Sequence, residues 1–270
     1  MNLNRKRLTY GAITLLAIAA IGLYLRMPKP INAFSDDFNA HEKTWIRKQV
    51  ANTSRYQIVT DPQQEANSCL LLAQHPKDHF GGAKRSEYVF RPYTKAGKLV
   101  RYSFKFMFPN DFFKHRSAKD WLIVQQWHDE PPRWTAWEDY KENTRPPVAL
   151  LLGLKKDAPI TIEYGYGLKS NSYDQERVFV FKDSLRPMTW YTFSNEIFWS
   201  QDDNLGYSKP MLNGIPFVPE SVDSENKVYG ANMYNSVPNF YKFGLYGNKK
   251  SQDTIAVFLD DFRFEVVSSD

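Results

Sequence analysis

The chain has 270 residues, 16% of them aromatic, with 35 basic against 30 acidic residues and a formal net charge of +5. All of that excess lies in residues 1–33, where Arg5, Lys6, Arg7, Arg26 and Lys29 meet no acid. The rest is neutral, so overall basicity gives no argument for nucleic-acid binding. The single cysteine, Cys69, excludes an intrachain disulfide and a cysteine metal cluster, and its setting in SCLLLA predicts a buried structural thiol.

Behind the basic cluster Arg5–Lys6–Arg7, residues Leu8 to Leu25 carry no charge and are mostly apolar. As a helix that run is roughly 27 Å long, enough to span a thin bilayer. The basic flank is expected to stay cytoplasmic, so the rest is exported. Two readings stand: an uncleaved signal anchor, which the length favours, or a signal peptide cut after Ala33. Residues 1–33 are therefore read as targeting segment and short linker, and 34–270 as the working domain. That domain is either held at the inner membrane facing the periplasm or secreted.

From residue 34 onward the signals are strands. AKRSEYVF puts Arg85 and Glu87 on one face and Ser86 on the other. VRYSFKFMF alternates Tyr102, Phe104, Phe106 and Phe108 against Arg101, Ser103 and Lys105, the pattern of a half-buried strand. In IVQQWHD, Gln126 and His128 share a face, with Gln125 and Trp127 opposite. PPVALLLGL, PITIEYGYG, RVFVF and TWYTFSNEIFW follow as strands, with short helical turns near SAKDW and TAWEDYKEN. YKFGLYG sets Tyr241, Phe243 and Leu245 against Lys242, Gly244 and Tyr246, and the absent side chain of Gly244 is read as room for a ligand chain. FLDDFRFEV, near the end, echoes FSDDF near the start, which suggests neighbouring strands closing the sheet. The fold expected is all-β: a large antiparallel sandwich of jelly-roll, concanavalin-like type after an N-terminal membrane helix.

Each polar pair alone reads as a surface ion pair or a satisfied sheet rim. Together, Arg, Gln, His, Lys and Tyr supply what is needed to remove a proton beside a carboxylate. Arg and Gln hold the carboxylate and spread the developing charge. His or Tyr takes the proton, and Tyr can protonate the leaving oxygen. That is β-elimination on a uronic-acid polymer.

The three segments RSE at 85–87, QQWH at 125–128 and KFGLY at 242–246, in this order, resemble the motifs of jelly-roll polysaccharide lyases. The Gln-Trp-His form, with PPVAL at 146–150 and LNG at 212–214, is most similar to the heparin-lyase-I-like group. Alginate and glucuronan lyases are relatives of similar build, and the likeness runs over about 35–268. The resemblance implies that Arg85 and Gln126 neutralise the substrate carboxylate, and that His128 and Tyr246 are the remaining catalytic residues, either one the base. It implies that Glu87 orients Arg85 and Lys242 binds the chain. One departure points away from alginate: alginate lyases place a Tyr two residues before this Lys, whereas Tyr241 stands one before it, on the opposite face.

Trp127, Tyr164 and Tyr166, with Trp134 and Trp137, are candidates for sugar stacking. No cofactor is required. Some relatives bind structural calcium, for which Asp36, Asp37, Asp260 and Asp261 are the candidate ligands. The expected partners are an acidic polysaccharide and, through the first helix, a membrane, with no nucleic acid, and the protein is read as a monomer. A non-catalytic sugar-binding sandwich is the alternative. A retaining glycoside hydrolase needs two carboxylates about 5–5.5 Å apart, and no strand offers a suitable pair.

Overall fold

Alternating aromatic and β-branched residues build two facing sheets. The structure, a computed structural model, describes residues 31–39, 45, 47–92, 94–113, 121–132, 134–137, 139–140, 145–153, 158–168, 176–248, 250–251 and 254–267. The apolar run Leu8–Leu25 and most of SAKDW lie outside them. Among the described residues no helix is long and apolar enough to cross a membrane.

The first sheet runs in the order β13 (Ile215–Pro216), β12 (Tyr207–Leu212), β11 (Tyr191–Phe198), β6 (Leu99–Met107), β16 (Ile255–Val267), β4 (Gln64–Gln74) and β3 (Tyr56–Asp61). Strands β1 (Ala33–Asp36) and β14 (Val228–Tyr229) join it against β16 and β12. The second sheet runs β10 (Arg177–Ser184), β9 (Thr161–Tyr166), β8 (Val148–Gly153), β7 (Leu122–His128), β15 (Phe240–Gly247), β5 (Lys84–Phe90) and β2 (Arg47–Val50). Neighbouring strands in both sheets pair antiparallel. The expected all-β sandwich is what forms. The look-alike FSDDF and FLDDFRFEV segments are neighbours, as expected, with Phe34 facing Phe264 and Asp36 facing Phe262 across β1 and β16.

The core lies between the sheets and is aromatic. Tyr102, Phe104 and Phe106 of β6 enter it from one side, and Tyr241, Phe243 and Leu245 of β15 from the other. Trp45, just before β2, stacks on Phe243 at 5.7 Å and 6° and packs on Phe262 at 4.8 Å. Such pairs add about 0.5–1.5 kcal/mol each beyond the area they bury. Cys69 is fully buried on β4, and burial pushes its thiol up to about 12, as a structural cysteine requires.

A buried polar lattice ties the two sheets together. Asn195 of β11 donates to the hydroxyls of Tyr102 and Tyr164 at 3.1 and 2.8 Å, and its carbonyl accepts from Ser208 at 2.9 Å. The Tyr102 hydroxyl donates onward to Gln125 of β7 at 3.2 Å. Tyr166 donates to the carbonyl of Gly230 at 2.7 Å and accepts from Asn232 at 3.1 Å.

Two irregularities aim the polar residues of the second sheet. On β7, Ile123 faces Leu151 and Gln125 faces Leu150, so β7 carries one extra residue against β8. Leu122 and Val124 point into the core before this bulge, and Gln125 and Trp127 do so after it. Such an insertion re-aims the side chains that follow. Gln126 and His128 are thereby turned to the outer face. On β15 the register shifts at Gly244, which has φ +141°. A Cβ there would come within 2.2 Å of the Ser86 carbonyl and 2.7 Å of the Leu72 side chain. Gly244 is thus demanded by the close approach of β5 and the core. Its missing side chain opens toward the protein, not toward a ligand as the sequence suggested.

Candidate active site

The outer face of the second sheet gathers the three motifs side by side. Register sets Tyr246 opposite Arg85, Gly244 opposite Glu87, and Lys242 opposite both Val89 and Gln126. His128 faces Phe240. Arg85, Glu87, Gln126, His128, Lys242 and Tyr246 therefore share one face; alternation predicts each pair, and the registers and the β7 bulge bring the three pairs together.

Beneath the surface, the Gln126 amide donates to Glu87 at 2.6 Å, and both side chains are buried. Arg85 Nε stands 3.9 Å from the other Glu87 oxygen, an ion pair without a hydrogen bond. Glu87 therefore fixes Gln126 more tightly than it fixes Arg85. The guanidinium of Arg85 instead lies over the Tyr246 ring at 4.6 Å, and Trp121 meets that ring edge-on at 4.9 Å. The phenol is thus held from two sides.

A cleft of about 410 Å³ opens above this layer, lined by Arg47, Gln49, Arg85, Val89, Arg91, His128, Trp137, Phe240 and Lys242. Three arginines and a lysine share it with a histidine, and among the described residues no carboxylate lines it. Burial pushes Lys242 down to about 8, helped by the charges of Arg85, Arg47 and Arg91 and opposed by Glu87. Arg91 is paired with Glu130 at the rim. Burial raises the Glu130 carboxyl above its ordinary range against the pull of Arg91. His128 stacks on Phe240 at 5.6 Å, and Trp137 approaches its ring at 6.2 Å. A crowd of cations around apolar walls suits an anionic sugar.

His128 and Tyr246 stand at opposite ends of this strip. Tyr246 pairs with Ile123, five β7 residues from His128, which is roughly 16 Å along the strand. The cleft, with Arg85 and Lys242, lies between them.

Three expected binding residues are placed elsewhere. Trp127, Tyr164 and Tyr166 are wholly buried between the sheets. Trp127 packs on Trp199 and Tyr241, both at 5.0 Å. Tyr164 and Tyr166 are the inter-sheet struts described above. They occupy the alternate positions of their strands and cannot touch a polymer on the outer face. Of the loop tryptophans, Trp137 lines the cleft, whereas Trp134, 91% exposed, does not.

The four carboxylates considered for calcium are engaged by the protein. Asp36 accepts from the Trp45 indole at 2.6 Å, and Asp260 accepts from Asn67 at 2.9 Å. Asp261 pairs with Lys105, and the Asp37 carboxylate caps the backbone of Asn39. Among the described residues no cluster of three or more His, Cys, Asp or Glu is placed to hold a metal.

Sequence patterning alone does not single out Arg47, Arg91 or Asp129. Arg91 was within reach, since it shares strand parity with Arg85 and Glu87. Arg47 was not, because only the β2–β5 register, Arg47 opposite Val89, brings it to the cleft.

Comparison with solved structures returns the same architecture. The endo-β-1,4-glucuronan lyase of the fungus Trichoderma reesei superimposes with a TM-score of 0.63 at 16% identity, over 87% of this chain and 96% of that one. Alginate lyase Aly36B gives 0.60 at 9% identity, over 89% and 99%. A family 7 alginate lyase, A1-II′, gives 0.52 at 11%, over 81% and 84%. No curated protein matches the sequence. The profile of the family described as polysaccharide lyase matches residues 36–263, nearly all of the sandwich and every motif of the outer face, and the chain belongs to that family.

Proposed function

We propose that this polysaccharide lyase cleaves a uronate-containing polymer by β-elimination in the cationic cleft. The observation that carries the reading is the cleft's composition. Arg85, Arg47, Arg91, Lys242 and His128 converge with no acid among the described walls, above the buried Gln126–Glu87 pair. Arg85 receives the substrate carboxylate and stabilises the charge that grows on it, and the amide dipole of Gln126, buried against Glu87 beneath, adds to that field. His128 removes the C5 proton. The electron pair forms the C4–C5 double bond, the C4–O4 bond breaks, and the departing oxygen takes its proton from the Tyr246 hydroxyl, relayed through water along the cleft from the far end of the strip. Lys242 and Trp137 hold the chain along the cleft.

The glucuronan and alginate lyases among the structural neighbours act on uronate polymers by their names, which supports the substrate class. We place the enzyme on the exported side of the membrane as a monomer, tethered through Leu8–Leu25. The basic flank of that apolar run supports this placement.

The test is the ultraviolet absorbance of an unsaturated uronate end, followed with the full chain on glucuronan, alginate, heparan-type chains and bacterial exopolysaccharides. A rise on one polymer that disappears in Tyr246→Phe is the expected result. A flat trace on every polymer, with tight binding to one, would replace catalysis with carbohydrate binding.

A further inference from the structure

We infer that Asp129 is a positioning residue for catalysis. It fixes the tautomer of His128 and supplies the negative charge that meets the proton His128 removes. This rests on the reading of His128 as the base.

His128 is the last residue of β7, and the chain turns inward directly after it. Asp129 is only 1% exposed and sits behind the imidazole. Nδ1 of His128 is 3.0 Å from the Asp129 backbone carbonyl and 3.0 Å from its carboxylate oxygen Oδ1. Both groups only accept. A bare Nδ1 would face two oxygens with no hydrogen between them, so Nδ1 must carry the proton. Nε2 is then the unprotonated nitrogen. Phe240 on one face of the ring and Trp137 near its edge hold the imidazole at the cleft wall.

The carboxylate has a second feature. Neither of its oxygens has a hydrogen-bond partner among the described residues, so the close approach to Nδ1 lies off the hydrogen-bonding direction. Buried carboxylates are normally satisfied by donors, and one left without them costs stability. Here the cost is offset when the imidazole beside it gains a proton, because a buried ion pair then forms. That moment is the removal of the C5 proton. Among the described residues the other charges around the ring are Glu130, which follows Asp129, Arg85 from β5 and Arg91 just after it, Arg47 from β2, and Lys242 from β15. Four of these five are cations, which oppose charging the ring, so a local anion has a specific task. Trypsin-like triads use a buried carboxylate behind a histidine in a comparable way, on an unrelated fold.

The experiment uses the full-length enzyme in detergent. Asp129→Asn keeps the size and removes the charge. We expect kcat to fall about tenfold to a hundredfold, with KM within twofold, since Asp129 does not line the cleft. Nitrogen-15 NMR of histidine-labelled wild type should show His128 as the Nδ1–H tautomer. That measurement stands even if the variant fails to fold. An unchanged kcat in Asp129→Asn, or an Nε2–H tautomer in the wild type, would overturn the role of Asp129. His128→Gln separates the two levels. Full turnover in that variant removes the base assignment and this inference with it. Loss of turnover there, with unchanged kcat in Asp129→Asn, removes the inference alone.

Discussion

The two faces of the second sheet use the same residue types for opposite purposes. Gln125 and Gln126 are adjacent and both wholly buried. Gln125 ends the lattice that joins the sheets, whereas Gln126 is clamped to Glu87 under the cleft. Tyrosine divides in the same way. Tyr164 and Tyr241 are sealed in the core, where burial drives their hydroxyls far above the ordinary range and keeps them neutral. Tyr246 lies on the other face, under the Arg85 guanidinium. A tyrosine or glutamine therefore acquires its role from the face it occupies. Outer-face changes should alter turnover at constant stability, and core-face changes should do the reverse.

The sharpest break of that contrast is Tyr246→Phe. Turnover should fall about a thousandfold, as for loss of a general acid, while the thermal midpoint stays within a degree or two of wild type. A collapse of the midpoint would put Tyr246 in the structural class instead. On the core face, Asn195→Ala removes the partner of Tyr102, Tyr164 and Ser208 at once. Urea denaturation should show a loss of about 3 kcal/mol, because buried polar groups are left unpaired. The kcat of the folded fraction should be unchanged.

Gly244→Ala tests a position where β15, β5 and the core side chain of Leu72 meet. The added methyl meets the Ser86 carbonyl and the backbone is in a conformation that favours glycine. We expect about 2 kcal/mol of destabilisation from overpacking and a loss of activity beside it, since β15 carries both Lys242 and Tyr246.

The smallest effect concerns Lys242. Its folded value near 8 lies below the ordinary 10.5, so its charge is lost as pH rises through about 8. KM for the anionic polymer should then rise a few-fold on the alkaline side. Lys242→Arg, charged throughout, should flatten that rise. The linkage sign for folding is the reverse. The folded state sheds this proton more readily than the unfolded one, so Lys242 costs stability below about 8, and the cost fades toward 10.5. Urea midpoints across that window check the direction.

Much of this is legible in the sequence, because a strand's period of two is a local property. The alternation of VRYSFKFMF and YKFGLYG fixes their core faces. Alternation alone also puts each of the pairs Arg85 and Glu87, Gln126 and His128, and Lys242 and Tyr246 on a single face. Neutrality of the residues after 33 and the lone buried cysteine follow from composition. Tertiary structure decides what depends on contacts between distant strands. Leu122 and Val124 would carry Gln126 and His128 into the core by simple alternation, and only the bulge against β8 reverses them. Tyr164 and Tyr166 resemble sugar platforms until the facing sheet presents Asn195 and Ser208 and the loop after β14 presents Asn232. Gly244 reads as open space until β5 closes on it, and Arg47 joins the cleft only through its register with Val89. Periodicity states which side chains share a face. Which face meets the second sheet, and which neighbours share the cleft, is set by pairing across the chain.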